Sequence, residues 1–142
     1  MKGLKILAVY SLIGSAAGLF FSAMRENSQS QKISLILFAL SLLLCVFFLF
    51  IKNKKNLFWG LLGLYISQVF AIKTTLFNYA FSIGVSNFHF FAIPRLTPKN
   101  FNFSISYSDF SSTDNPQTII GFNVAAILII LFLLANKRRL YA

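Results

Sequence analysis

Four stretches of the chain, 4–24, 33–51, 57–77 and 119–135, are dominated by uncharged apolar residues. The second is the cleanest, because Ile33 to Ile51 carries no charge and only Ser34 and Ser41 as hydroxyls. As a helix at 1.5 Å per residue it is about 28 Å long, close to the thickness of bilayer hydrocarbon. The run is apolar all round, whereas a helix of a soluble bundle keeps a polar face. Lys52, Lys54 and Lys55 close it. In the first run, Lys2 and Lys5 precede an apolar stretch and Ser15-Ala16-Ala17, a pattern shared with signal peptides. It is taken here as a membrane span.

The third run begins at Leu57 and stays uncharged until Lys73. In a continuous helix that lysine lies about 24 Å from the start, where its ammonium can extend to the headgroups. Asp114-Asn115-Pro116 offers a capping side chain before a first-turn proline ahead of the fourth run. Asn136-Lys137-Arg138-Arg139 closes that run. Phe58, Trp59 and Tyr141 sit where interfacial aromatics belong. Together these runs predict an all-α integral membrane protein, one domain over residues 1–142 with four transmembrane helices.

Between the third and fourth runs, at about 78–118, the period changes. Phe101, Phe103, Ile105 and Tyr107 alternate with Asn102, Ser104, Ser106 and Ser108, the period-2 pattern of a half-buried strand. Val85 to Ile93 is also aromatic and β-prone, and Pro94 and Pro98 suit a connection between the two. A short extracytoplasmic β-hairpin is expected. Because an isolated hairpin is marginal in water, it should rest on the helix ends, on lipid or on a partner.

Composition supports the membrane assignment: 57% of the 142 residues are hydrophobic and only 11% charged, against about 25% charged in soluble domains. The net charge of +10 comes in short groups beside the apolar runs. It fits topology and anionic headgroups, not nucleic acid. With four spans, one side carries Lys2, Lys5, Lys52, Lys54, Lys55, Lys137, Arg138 and Arg139, and the other Arg25, Lys32, Lys73, Arg95 and Lys99. All three acids, Glu26, Asp109 and Asp114, fall on the second side. The positive-inside rule then puts both termini in the cytoplasm, in a bacterial inner membrane or its equivalent.

Chemistry-bearing residues are sparse. Cys45 is the lone cysteine, which rules out an internal disulfide and CxxC chemistry. No metal, cofactor or catalytic set is expected. Gly14 and Gly18 form a GxxxG pair, and Gly60, Gly63 and Ser67 give the third run a comparable small face for helix packing or subunit contact. Gln68 and Asn123 are the strongest polar groups within the runs and should find interhelical partners, since an unpaired amide in hydrocarbon is costly. No Asp, Glu, Arg or His stands near the middle of a run, which argues against ion-coupled transport. His89, Phe90, Phe91, Arg95, Phe101, Phe103 and Tyr107 are the candidate contacts of the loop with a partner or lipid. Asn102-Phe103-Ser104 matches a glycosylation sequon.

By elimination, the expected function is that of a non-catalytic accessory or scaffold subunit of a larger membrane protein complex. The alternatives are a homo-oligomeric channel or passive carrier lined by Ser67, Gln68 and Asn123, and a small outer-face enzyme for lipid or polysaccharide using His89 with Asp109 or Asp114.

Overall fold

The computed structural model describes residues 2–24, 29–74, 76–93, 95–110 and 118–137. In chain order the elements are α1 (Lys2–Ala23), α2 (Gln29–Phe50), α3 (Lys54–Ile66), β1 (Phe70–Lys73), β2 (Asn78–Phe81), β3 (Val85–Ala92), β4 (Thr97–Ile105), β5 (Ser108–Asp109), β6 (Ile119–Asn123) and α4 (Val124–Ala135). The strands form one six-stranded antiparallel sheet in the order β4-β3-β6-β1-β2-β5, curled into an open half-barrel.

The expected all-α four-span architecture is therefore wrong. Two helices, α1 and α2, are long and apolar enough to cross a membrane. At 22 residues each, they extend about 33 Å. α3 has 13 residues and α4 has 12, only about 20 and 18 Å. The fourth run is β6 followed by α4, and the third holds the end of α3, a turn and the four residues of β1. The expected hairpin segments are β3 and β4, which pair antiparallel from Val85↔Ile105 to Ala92↔Thr97. They make up the outer part of a much larger sheet. The expected helix-start signal Asp114-Asn115-Pro116 lies outside the described residues, as do Arg25, Glu26, Pro94, Arg138, Arg139 and Tyr141.

Two amides set the helix-to-strand changes. The Gln68 side chain donates to the Leu64 carbonyl at the end of α3 (2.9 Å) and accepts the Ile83 N–H (2.8 Å). It thus satisfies a helix-end carbonyl while tying the strand layer to the helix. Asn123 stands in extended backbone as the N-cap of α4, its side chain accepting from Ala126 N, and its own N–H donates to Val69 O. Asparagine is among the best N-cap residues, so the helix begins here and the five residues before it are left to the sheet.

Packing divides the molecule into two storeys. Leu4 and Ala8 of α1, Phe48 of α2, Leu57, Phe58, Leu61 and Leu62 of α3 and Leu133 of α4 form a lower four-helix core. The Lys5 ammonium caps this end of α2 by donating to the carbonyls of Phe48, Leu49 and Ile51, as cations do at helix C-termini. Above, Phe38 of α2 packs with Phe81 and Ile83, and Leu19, Leu64 and Phe110 lie against them. The sheet thus replaces α3 and α4 as the neighbour of the upper halves of α1 and α2.

Candidate functional site: an open cup in the sheet and its apolar outer face

Register assigns the side chains to two faces. On the inner face, Ala71, Ala80, Phe88 and Phe90 are buried together with Tyr107 and Ile119 packed on them. The Phe88 ring lies 5.8 Å from Phe90 and 5.7 Å from Tyr107. Gly121 of β6 keeps this layer thin, because a Cβ there would meet the Phe90 ring at 2.7 Å. Above this floor opens a cavity of about 410 Å³ whose lining includes Lys73, Lys99, Asn100, Asn102, Phe90 and Tyr107.

The polar centre of the cup is a three-residue cluster. Lys73 Nζ of β1 lies 3.0 Å from Asp109 Oδ2 of β5, with the two side chains only 23% and 19% exposed. The Tyr107 hydroxyl donates to the same oxygen at 3.4 Å, and the Lys73 ammonium lies 5.2 Å from the centroid of the Phe90 ring. Burial would lower the Lys73 pKa, but the hydrogen bond to Asp109 and the surrounding charges outweigh it and raise the pKa above its ordinary value. The Tyr107 pKa is also raised, first by burial and then by the Asp109 charge. At neutral pH Lys73 is therefore an ammonium and Tyr107 an intact phenol.

The rim of the cup is shaped by an irregularity in β4. His89 faces Phe101, but two residues on, Phe91 faces Pro98 and not Lys99. One extra residue in β4 makes a bulge at Lys99–Asn100, the device that re-aims side chains beside sites in sheets. Both residues line the cavity.

The outer face is apolar. Phe70 pairs with Phe122, His89 with Phe101 and Phe91 with Phe122 in ring contacts of 5.5, 5.1 and 6.4 Å. Phe101, Phe103 and Ile105 of β4 are 61%, 62% and 56% exposed. Among the described residues no strand pairs with the outer edge of β4.

A polar seam joins sheet to helices. Val85 N–H donates to the Tyr10 hydroxyl (2.7 Å), Ser106 Oγ to Gly14 O (2.5 Å), and Ser108 Oγ to Ser34 Oγ (3.0 Å). Gly84, at φ +76°, lies so close to α1 that a Cβ on Gly14 would stand 2.4 Å from its nitrogen.

The residues singled out from sequence distribute as follows. Gly14 faces Gly84 of the sheet layer, Gly18 the Phe38 ring, Gly60 the Phe48 ring, and Gly63 nothing within 4 Å. The small faces of α1 and α3 therefore do not meet at their glycines. Ser67 is exposed and bonds back to Leu64 O, whereas Gln68 and Asn123 are buried with backbone partners. Of the loop residues, Phe90 and Tyr107 face the cup, His89, Phe91 and Phe103 lie on the outer side, Phe101 packs its ring on His89 and also borders the cavity, and Arg95 lies in the exposed β3–β4 turn. His89 and Asp109 consequently lie on opposite faces of the sheet. Lys73, Asp109, Lys99, Asn100 and Asn102 were not legible as one group. The only signal was that Lys73 and Asp109 are isolated opposite charges in aromatic surroundings.

No protein-family model, curated protein or solved structure matches this chain.

Proposed function

We propose that the protein is a non-catalytic accessory or scaffold subunit of a membrane complex, anchored by α1 and α2, that receives its partner along β4. The observation that carries this is that, among the described residues, no strand pairs with the outer edge of β4, where Phe101, Phe103 and Ile105 are all more than half exposed. An open edge is a template for a strand of another chain, and natural edges are guarded by proline, lysine or a bulge. Those three devices occur at Pro98, Lys99 and the bulge, at the far end of β4. The stretch 101–105 has none, and its aromatic row suits strand addition, with backbone pairing for affinity and side chains for selectivity. An open edge is also untenable in hydrocarbon without a cover.

In this proposal the lower end of the bundle, with Lys2, Lys5, Lys52, Lys54, Lys55 and Lys137, lies in the cytoplasm of a bacterial inner membrane or its equivalent. The cup opens on the opposite side. No observation favours a pore through Gln68 and Asn123, whose amides are engaged with backbone.

Native mass spectrometry of the protein extracted mildly from its own membrane tests the proposal. A mixed assembly is expected, and it should dissociate in the double variant Phe101→Lys/Phe103→Lys while the thermal melt is retained. A monomer, or copies of this chain alone, would overturn it.

A further inference from the structure

We infer that the cup is a binding site for a phosphate group, carried on a small soluble ester or on a lipid head. This goes beyond the scaffold role, which uses the outer edge of β4.

Charge comes first. Lys73, Lys99, Asn100 and Asn102 are among the residues that line the cavity. Asp109 is the one acid among the described residues, and it is already engaged by Lys73 and Tyr107. Among the described residues the cup therefore holds one more cation than anion. An ammonium has three donors and an asparagine amide two, so donor capacity exceeds what Asp109 takes up. Among the described residues, the Lys99, Asn100 and Asn102 side chains make no hydrogen bond or ion pair with the protein. A group of tetrahedral acceptors with negative charge satisfies this set, whereas a cation would meet the surplus charge.

Position comes second. Lys73 is not a free surface lysine: Asp109 fixes its ammonium over the Phe90 ring, so it presents a pre-oriented charge. Lys99 and Asn100 reach the rim only because β4 carries an extra residue at that point. Without the bulge, strand alternation would send one of the two to the outer face. The Phe90, Tyr107 and Ile119 floor takes the carbon portion of the ligand. A volume of about 410 Å³ lies within the range of small-molecule sites, about 300–1,000 Å³.

The experiment is isothermal titration of the full-length protein in a neutral detergent with glycerol 3-phosphate and, separately, with short-chain phosphatidylglycerol below its micellar concentration. Glycerol is the phosphate-free control. Saturable binding of either phosphate ligand, without binding of glycerol, is expected. The soluble ester binding identifies a free metabolite as the source, and the lipid alone binding identifies a headgroup. The double variant Lys99→Ala/Asn102→Ala should weaken binding at least tenfold with an unchanged thermal melt, since neither side chain is buried. Binding of neither ligand, or equal affinity in the double variant, would overturn the inference.

Discussion

Lys73 illustrates what a single residue's place in the sequence can and cannot say. In a continuous helix it would be a lysine extending its stem to the interface. In the sheet it is an inner-face residue of β1, held by Asp109 thirty-six positions later. Both Lys73 and Tyr107 have raised pKa values in the folded protein, against about 10.4 and about 10 for the free side chains. Above these free values the folded chain keeps protons that the unfolded chain has lost. The stabilisation is thus complete below about pH 10 and is lost as pH rises through the raised values. The melting temperature of the parent should fall more steeply above pH 10 than that of Lys73→Met/Asp109→Asn. Equal slopes in the two proteins would refute this. At neutral pH, Lys73→Met alone should cost about 1–3 kcal/mol, between exposed and fully buried ion pairs. The pair was hidden in the sequence because nothing local connects the two residues. Strand pairing two elements away brings them together.

Element boundaries failed for a related reason. An apolar run does not by itself distinguish buried helix from buried strand, and 57–77 and 119–135 each contain both. Gln68 and Asn123 mark the changes, but the sequence presents them equally well as polar groups inside a longer helix. The alternation in β4 was legible because Phe101, Phe103 and Ile105 share one face and Asn102 and Ser104 the other. By contrast, β1 and β6 are apolar on both faces except at Lys73 and Asn123. The small residues of α1 were legible as a close-packing face, but not what they pack against. Gly14 meets the backbone of Gly84, which cannot rotate away as a side chain could. Gly14→Val should therefore break the sheet–helix seam, lowering the melting temperature and exposing the Val85 amide to hydrogen exchange. Gly63→Ala, in open space, should leave the melt unchanged or raise it slightly through helix propensity. Comparable losses in both variants would mean that glycine content, and not the Gly14–Gly84 contact, sets the stability.

At the scale of the whole molecule, a long helix and the α3–β1 arm have about the same summed length. α3 contributes about 20 Å and the four residues of β1 about 13 Å more, against about 33 Å for α1. The sheet joins α1 midway along its length, at Tyr10 and Gly14. The strands β3 and β4 run upward from there, from Val85↔Ile105 to the Ala92↔Thr97 end beside Lys99. The α2–α3 junction at Lys52, Lys54 and Lys55 and the rim at Lys99 therefore lie at opposite ends of the molecule, separated by the length of α1 and α2. If these two helices cross a bilayer, the two ends face different compartments. The one native thiol, Cys45, is buried and can be replaced by serine to give a silent background. A cysteine introduced at Lys55 and another at Lys99, in separate proteins in sealed vesicles, should react with an impermeant maleimide from opposite sides. Labelling of both from the same side would show that α1 and α2 form a hairpin that does not traverse the membrane. The apolar outer face of the sheet would then require cover from protein alone.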